Sequence, residues 1–174
     1  MKTLQKTIAA VALATLLFSS NLFAQNASAN VKITLKKALG ITNIGGSEIL
    51  FTEVLLDGGT QTPSVDPENG AQFIVTGHPN RDATITFSSF DLTNDAWNAG
   101  NGTDDVLTFT PDIEQTGSSS SYSGASTVTS GVAETLVNVT GTGTLYLWAG
   151  GSVAVRADQE HGEYVGTFQI DVSY

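Results

Sequence analysis

The chain has 0 cysteines. No disulfide can brace it, and a lipoprotein-type anchor, which needs a cysteine thiol, is not expected. Basic residues are scarce, 7 Lys and Arg against 17 Asp and Glu, for a net charge of -10. Such a surface repels phosphate backbones and anionic headgroups, so nucleic acid is excluded as a partner and the acidity serves solubility. Helix formers are thin on the ground, with a single Met and few Lys or Arg, which favours strands and turns over helices. Beyond the first two dozen residues no apolar run approaches the roughly 20 residues that span a bilayer, so no membrane insertion is expected. Catalytic signatures are missing too. There is no Gly-x-Ser-x-Gly elbow and no glycine-rich phosphate loop. The two histidines, His78 and His161, have no cysteine or histidine at zinc-ligand spacing. Glu160-His161-Gly162-Glu163 sets carboxylates beside an imidazole, but a turn explains it better than a triad. The chain is read as a non-enzyme.

What is present begins with an address. Lys2 and Lys6 precede an apolar run, Ile8 to Phe18, broken only by Thr15, and Ser19, Ser20 and Asn21 end it. Charge, apolar core and small polar residues in that order make a secretory signal peptide. Cleavage after Ala24 lies nearer the apolar run; cleavage after Ala29 uses the Ala27-x-Ala29 pattern. With the first, residues 1–24 are the signal peptide and 25–174 one exported domain, destined for periplasm, cell surface or medium. About 150 residues suffice for one domain with its own core.

Alternation predicts strands in that domain. Val31, Ile33 and Leu35 alternate with lysines and threonine. Ile49 to Leu56 is a mostly apolar run ended by Asp57-Gly58-Gly59. Ala71 to Thr76 precedes the turn Gly77-His78-Pro79-Asn80. Ala83, Ile85 and Phe87 alternate with polar residues, and Val106 to Thr110 stops before Pro111. Thr135 to Thr140 follows, and Leu145 to Trp148 and Ser152 to Ala157 flank Gly150-Gly151, read as a two-residue hairpin turn. In the last segment Tyr164, Gly166, Phe168, Ile170, Val172 and Tyr174 share one face, and Val165, Thr167, Gln169, Asp171 and Ser173 the other. Roughly eight or nine strands of this kind, mostly antiparallel, predict an all-β, immunoglobulin-like β-sandwich.

Three loops separate these strands. Thr60 to Gly70 holds prolines and acids, Thr116 to Ser126 is rich in Ser and Gly, and Asp91 to Asp105 is rich in Asn, Asp and Gly, with room for one helical turn around Trp97. In the third, Asp91, Asp95, Asp104 and Asp105 are hard oxygen donors that could take calcium. Their spacing fits no EF-hand, and Asp, Asn and Gly are also the ordinary material of turns. Calcium or a glycan held at this loop is the alternative to a structural role.

The C-terminal residues carry a resemblance. Gly162-Glu163-Tyr164-Val165-Gly166-Thr167-Phe168 leads into the alternating end at Tyr174, and Gly150-Gly151 lies upstream. This pattern resembles a group of exported bacterial domains of unknown function, and Gly77-His78-Pro79-Asn80 looks like that group's central turn. The ending is also similar to pilus and spore-coat-like subunits. The resemblance implies a non-enzymatic surface protein that pairs strands with copies of itself or other subunits. The alternating Val31, Ile33 and Leu35 read either as the ordinary first strand of this chain or as a strand donated to a neighbour's sheet edge.

Overall fold

In the computed structural model, residues 30, 32, 33, 35, 37–46, 48–101 and 105–174 are described. The segment up to Leu35 is one unit and Lys36–Tyr174 another. Val31 and Thr34 of the expected first strand lie outside the described residues. Ile33 and Leu35 lie in no strand and are exposed.

The second unit is all-β, a sandwich of two antiparallel sheets. Its strands are β1 (Gly40–Gly45), β2 (Ser64–Val65), β3 (Ala71–Gly77), β4 (Asp82–Thr86), β5 (Phe90–Thr93), β6 (Val106–Gln115), β7 (Ser126–Thr127), β8 (Ala133–Thr135), β9 (Val137–Val139), β10 (Thr142–Val153) and β11 (Asp171–Ser173). A short helix, α1 (Asp95–Asn101), surrounds Trp97 as expected, and a 3₁₀ turn spans Pro67–Asn69. The large sheet runs β1-β3-β10-β6-β5, with β2 and β9 also on β10 and β7 on β6; the small sheet runs β11-β4-β8.

β10 is the spine. Its odd-numbered residues Leu145, Leu147, Ala149 and Val153 face inward and are buried. They sit opposite Val75, Phe73 and Ala71 of β3, and opposite Ile113 and Phe109 of β6. Ala83 and Ile85 of β4, with Val128 and Leu136, close the core from the other side, and Phe168, Ile170 and Val172 pack against it. Each buried aliphatic side chain of this kind contributes about 1.5–3 kcal/mol.

The structure corrects several sequence expectations. Gly150-Gly151 is no hairpin turn, because β10 runs straight through it. A Cβ on Gly150 would lie 2.2 Å from the Val65 carbonyl oxygen and 2.6 Å from Pro67 N; one on Gly151 would lie 2.6 Å from the Phe109 ring. The pair is glycine because a crossing backbone and an aromatic ring occupy the space. Pro111 does not end its strand either. It pairs with Gly151 inside β6, at a point where β5 has ended and β7 has not begun, and a ladder open on one side tolerates proline. Thr135 to Thr140 is two strands. β8 pairs with β4 and β9 with β10, and the chain changes sheet at fully buried Leu136, whose N–H donates to Arg81 O at 2.9 Å. Ile49 to Leu56 forms no strand, whereas β1, unforeseen, supplies the edge of β3.

The C-terminal segment keeps its expected faces except at Gly166 and Tyr174, which are exposed. Tyr164, Phe168, Ile170 and Val172 are half-buried, and Val165, Thr167, Gln169, Asp171 and Ser173 are exposed. Among the described residues, only β11 and a single bridge, Val165 to Thr93, ladder this segment. Tyr174 closes on the Gly77–Asn80 turn: its hydroxyl accepts from His78 N–H at 2.6 Å and donates to Lys37 O at 3.2 Å. The Arg81 guanidinium lies 4.8 Å above its ring. Among the described residues no helix is long and apolar enough to cross a membrane.

Candidate functional site

At one end of the sandwich, α1, the start of β6 and the 156–164 segment meet around Asp105. Asn94 caps the helix: its side-chain oxygen accepts the Trp97 N–H at 3.2 Å, and its amide nitrogen donates to His161 O at 3.1 Å. Gly162 passes so close that a Cβ would sit 2.4 Å from that amide. Asp105 is buried. Its backbone N–H donates to Asn98 Oδ1 at 2.7 Å, and its carbonyl accepts from Asn94 N at 3.2 Å.

The Asp105 carboxylate is fully engaged. Oδ2 accepts from the Tyr164 hydroxyl. Oδ1 accepts from Gln159 Nε2 at 2.7 Å and lies 3.5 Å from Arg156 Nη2. Gln159 Nε2 also reaches Val106 O at 3.3 Å and the Tyr164 hydroxyl at 3.0 Å. Burial and the bond to Asp105 push the Tyr164 phenol above its ordinary pKa. The carboxylate thus fastens the 156–164 segment to the start of β6, while Asn94 and Asn98 tie α1 to the same node; Tyr164 and Gly162, read from the sequence as motif residues, meet Asp105 and Asn94 there.

The other calcium-candidate aspartates are dispersed. Asp91 Oδ1 accepts from Thr108 Oγ1, and Asp95 Oδ1 from Thr93 Oγ1, both at 2.8 Å. Asp104 lies outside the described residues. Among the described residues no three of His, Asp and Glu converge as a metal site. Trp97 is half-buried, edge-on to His161 with ring centroids 6.0 Å apart; His78 sits in its turn with Nδ1 2.9 Å from Pro79 O.

Beside the Asp105 node opens a cleft of about 440 Å³. Leu92, Leu107, Val153 and Val155 line it, together with residues 51–56, residues 159–162 and Tyr164. Gln159 is 7% exposed, and its Oε1 is buried with no hydrogen-bond partner among the described residues. The sequence reading missed this cleft. Its one visible sign was an apolar run at 49–56 that does not alternate, so that Leu50 and Leu55 stay 76% and 78% exposed. Gln159 carried no signal, since its partner Asp105 is 54 residues away.

On the outer face of the large sheet, Tyr122 stands edge-on to Trp148 at 5.4 Å between ring centroids. Its hydroxyl donates to Glu114 Oε2, and Trp148 Nε1 donates to Thr116 Oγ1 at 3.1 Å. The serine-rich loop is thereby tied down over β10. The bond to Glu114, then burial and neighbouring acids, push the Tyr122 phenol up to about 12. Burial, Glu114 and Asp66 raise the Asp112 carboxyl.

Fold and site together define an all-β sandwich domain with an apolar cleft beside the Asp105 hydrogen-bond node. The chain belongs to the family described as Domain of unknown function (DUF4402), which matches residues 11–174. Among curated proteins none matches it. The expectation of a domain-of-unknown-function family therefore holds at that level.

Proposed function

We propose that the chain is a non-enzymatic exported surface protein, a structural or adhesive subunit that joins copies of itself or other surface subunits by strand pairing. The observation that carries the reading is the backbone from Gly166 to Ile170. It turns Phe168 and Ile170 toward the core, yet no ladder joins it to another strand among the described residues. An extended segment with one face packed and its edge unladdered can take an added strand. Val31, Ile33 and Leu35 alternate as a donated strand would. The signal peptide and the similarity of the ending to pilus and spore-coat-like subunits favour the same reading.

The test is assembly. Light scattering on the full exported chain at increasing concentration should show growth beyond the monomer. The double variant Ile33→Asp with Leu35→Asp should stop that growth and leave the melting temperature unchanged, because both side chains are exposed. A wild-type chain that stays monomeric throughout, or a double variant that assembles as well as wild type, overturns the reading.

A further inference from the structure

We infer that the cleft walled by residues 51–56 binds a small, uncharged, largely apolar molecule carrying one hydrogen-bond donor, and that Gln159 Oε1 receives the donor. Three observations converge on this site, which strand pairing does not use. The first is size, since about 440 Å³ falls within the roughly 300–1,000 Å³ of small-molecule sites. The second is lining: aliphatic side chains of Leu92, Leu107, Val153 and Val155 form an apolar surface that gains free energy when water leaves it. The third is the orphan acceptor. Gln159 Nε2 is shared among Asp105, Val106 O and Tyr164, which fixes the amide's orientation. Its other arm, Oε1, is buried and has no partner among the described residues, in a side chain that lines the cleft. A buried acceptor without a donor is unfavourable, and a ligand N–H or O–H would relieve it.

The charge of the ligand follows from the acids. Glu53 and Glu160 line the same cleft within a chain of net charge -10, so an anionic amphiphile is repelled. A site of this kind discriminates by its polar group, because an apolar analogue lacking the donor leaves Oε1 unpaired while filling the same volume.

The probes are N-phenyl-1-naphthylamine, which fluoresces in apolar surroundings and carries one N–H, and its N-methyl derivative, which carries none. Titrated into the full chain, the first should give a saturable one-site rise in fluorescence. The second should bind about ten-fold more weakly. Leu55→Asp, which puts a charge at an exposed lining position, should lower the affinity of N-phenyl-1-naphthylamine about ten-fold or more. Thr52→Arg, also exposed, tests the same wall independently should the first variant misfold. In amide-correlation spectra of the wild type, the Gln159 side-chain NH₂ and the Val155 amide should shift on saturation. Non-saturable fluorescence, or binding untouched by both variants, overturns the cleft as a site. Equal affinity for the two probes overturns Gln159 as the acceptor.

Discussion

β10 and the segment Ile49–Leu56 are both apolar stretches, and they fare oppositely. β10 alternates, so one face enters the core while Tyr146 and Trp148 stay half-exposed on the other, and neighbours pair with it on both sides. Ile49–Leu56 has Ile49, Phe51 and Val54 half-buried, leaves Leu50 and Leu55 in water, and joins no ladder among the described residues. Hydrophobic content alone therefore does not make a strand. A period of two lets a segment bury one face and keep its backbone in register with its neighbours; an apolar run without it lies across the sandwich as a wall.

The sharpest way to break this comparison is to load each segment with an unsuitable side chain. Gly150→Val forces a Cβ into the Val65–Pro67 backbone crossing β10, which cannot retreat as a flexible side chain would. The expected loss exceeds about 4 kcal/mol in denaturant unfolding, a large fraction of the roughly 5–15 kcal/mol by which single domains are stable. Leu50→Asp in the other segment should stay within about 0.5 kcal/mol of wild type, as exposed substitutions do. Similar losses at the two positions would mean that residues 49–56 support the fold as β10 does.

The C-terminal tail lies between these extremes, alternating like β10 yet laddered only at its ends. Phe168 meets the rings of Phe73, Phe90 and Phe109 at 6.2–6.4 Å between centroids. Phe168→Asp loses those contacts and sets a charge among aromatic rings, for an expected cost of about 3–5 kcal/mol. Gln169→Asp, on the wet face, should change stability by less than about 0.5 kcal/mol. Equal shifts in the two melting curves would show that the faces are misassigned.

These segments also mark how far the sequence could be read. Side-chain parity was legible in β4 and in most of the tail: Ala83, Ile85 and Phe87, and Tyr164, Phe168, Ile170 and Val172, are buried or half-buried, whereas Gly166 and Tyr174 of the tail's inward set are exposed, as are Ile33 and Leu35 of the alternating segment near the start. The meaning of Gly150-Gly151 was not. Two glycines announce missing side chains, and both a tight turn and a close crossing require that. Which applies depends on Val65, Pro67 and Phe109, more than 40 residues upstream. Leu136 was hidden for a like reason, since a sheet change within Thr135–Thr140 depends on partners at Asp82–Thr84 and Thr142–Thr144. The Asp91–Asp105 loop displayed its carboxylates but not their partners. Asp105 is spent on Tyr164, Gln159 and Arg156, all 50 or more residues further on.

The smallest expected effect concerns the wet side of β10, where Tyr122 packs on Trp148. Its phenol is raised to about 12, first by the hydrogen bond to Glu114, then by burial and the surrounding acids. In the unfolded chain a tyrosine ionises near its ordinary value of about 10. The native state therefore holds this proton more tightly than the unfolded state. The resulting stability is complete below pH 10 and is lost as the pH rises from about 10 toward 12. Denaturant melts across that interval should show wild type losing more stability than Tyr122→Phe, which has no proton to lose, while both keep a flat dependence below it. Absorbance at 295 nm should assign one tyrosine, missing in the variant, to the upper end of the titration. Parallel stability curves, together with a Tyr122 that titrates near 10, would show that the serine-rich loop leaves this side of β10 open to solvent. The Glu114 bond would then hold nothing in place.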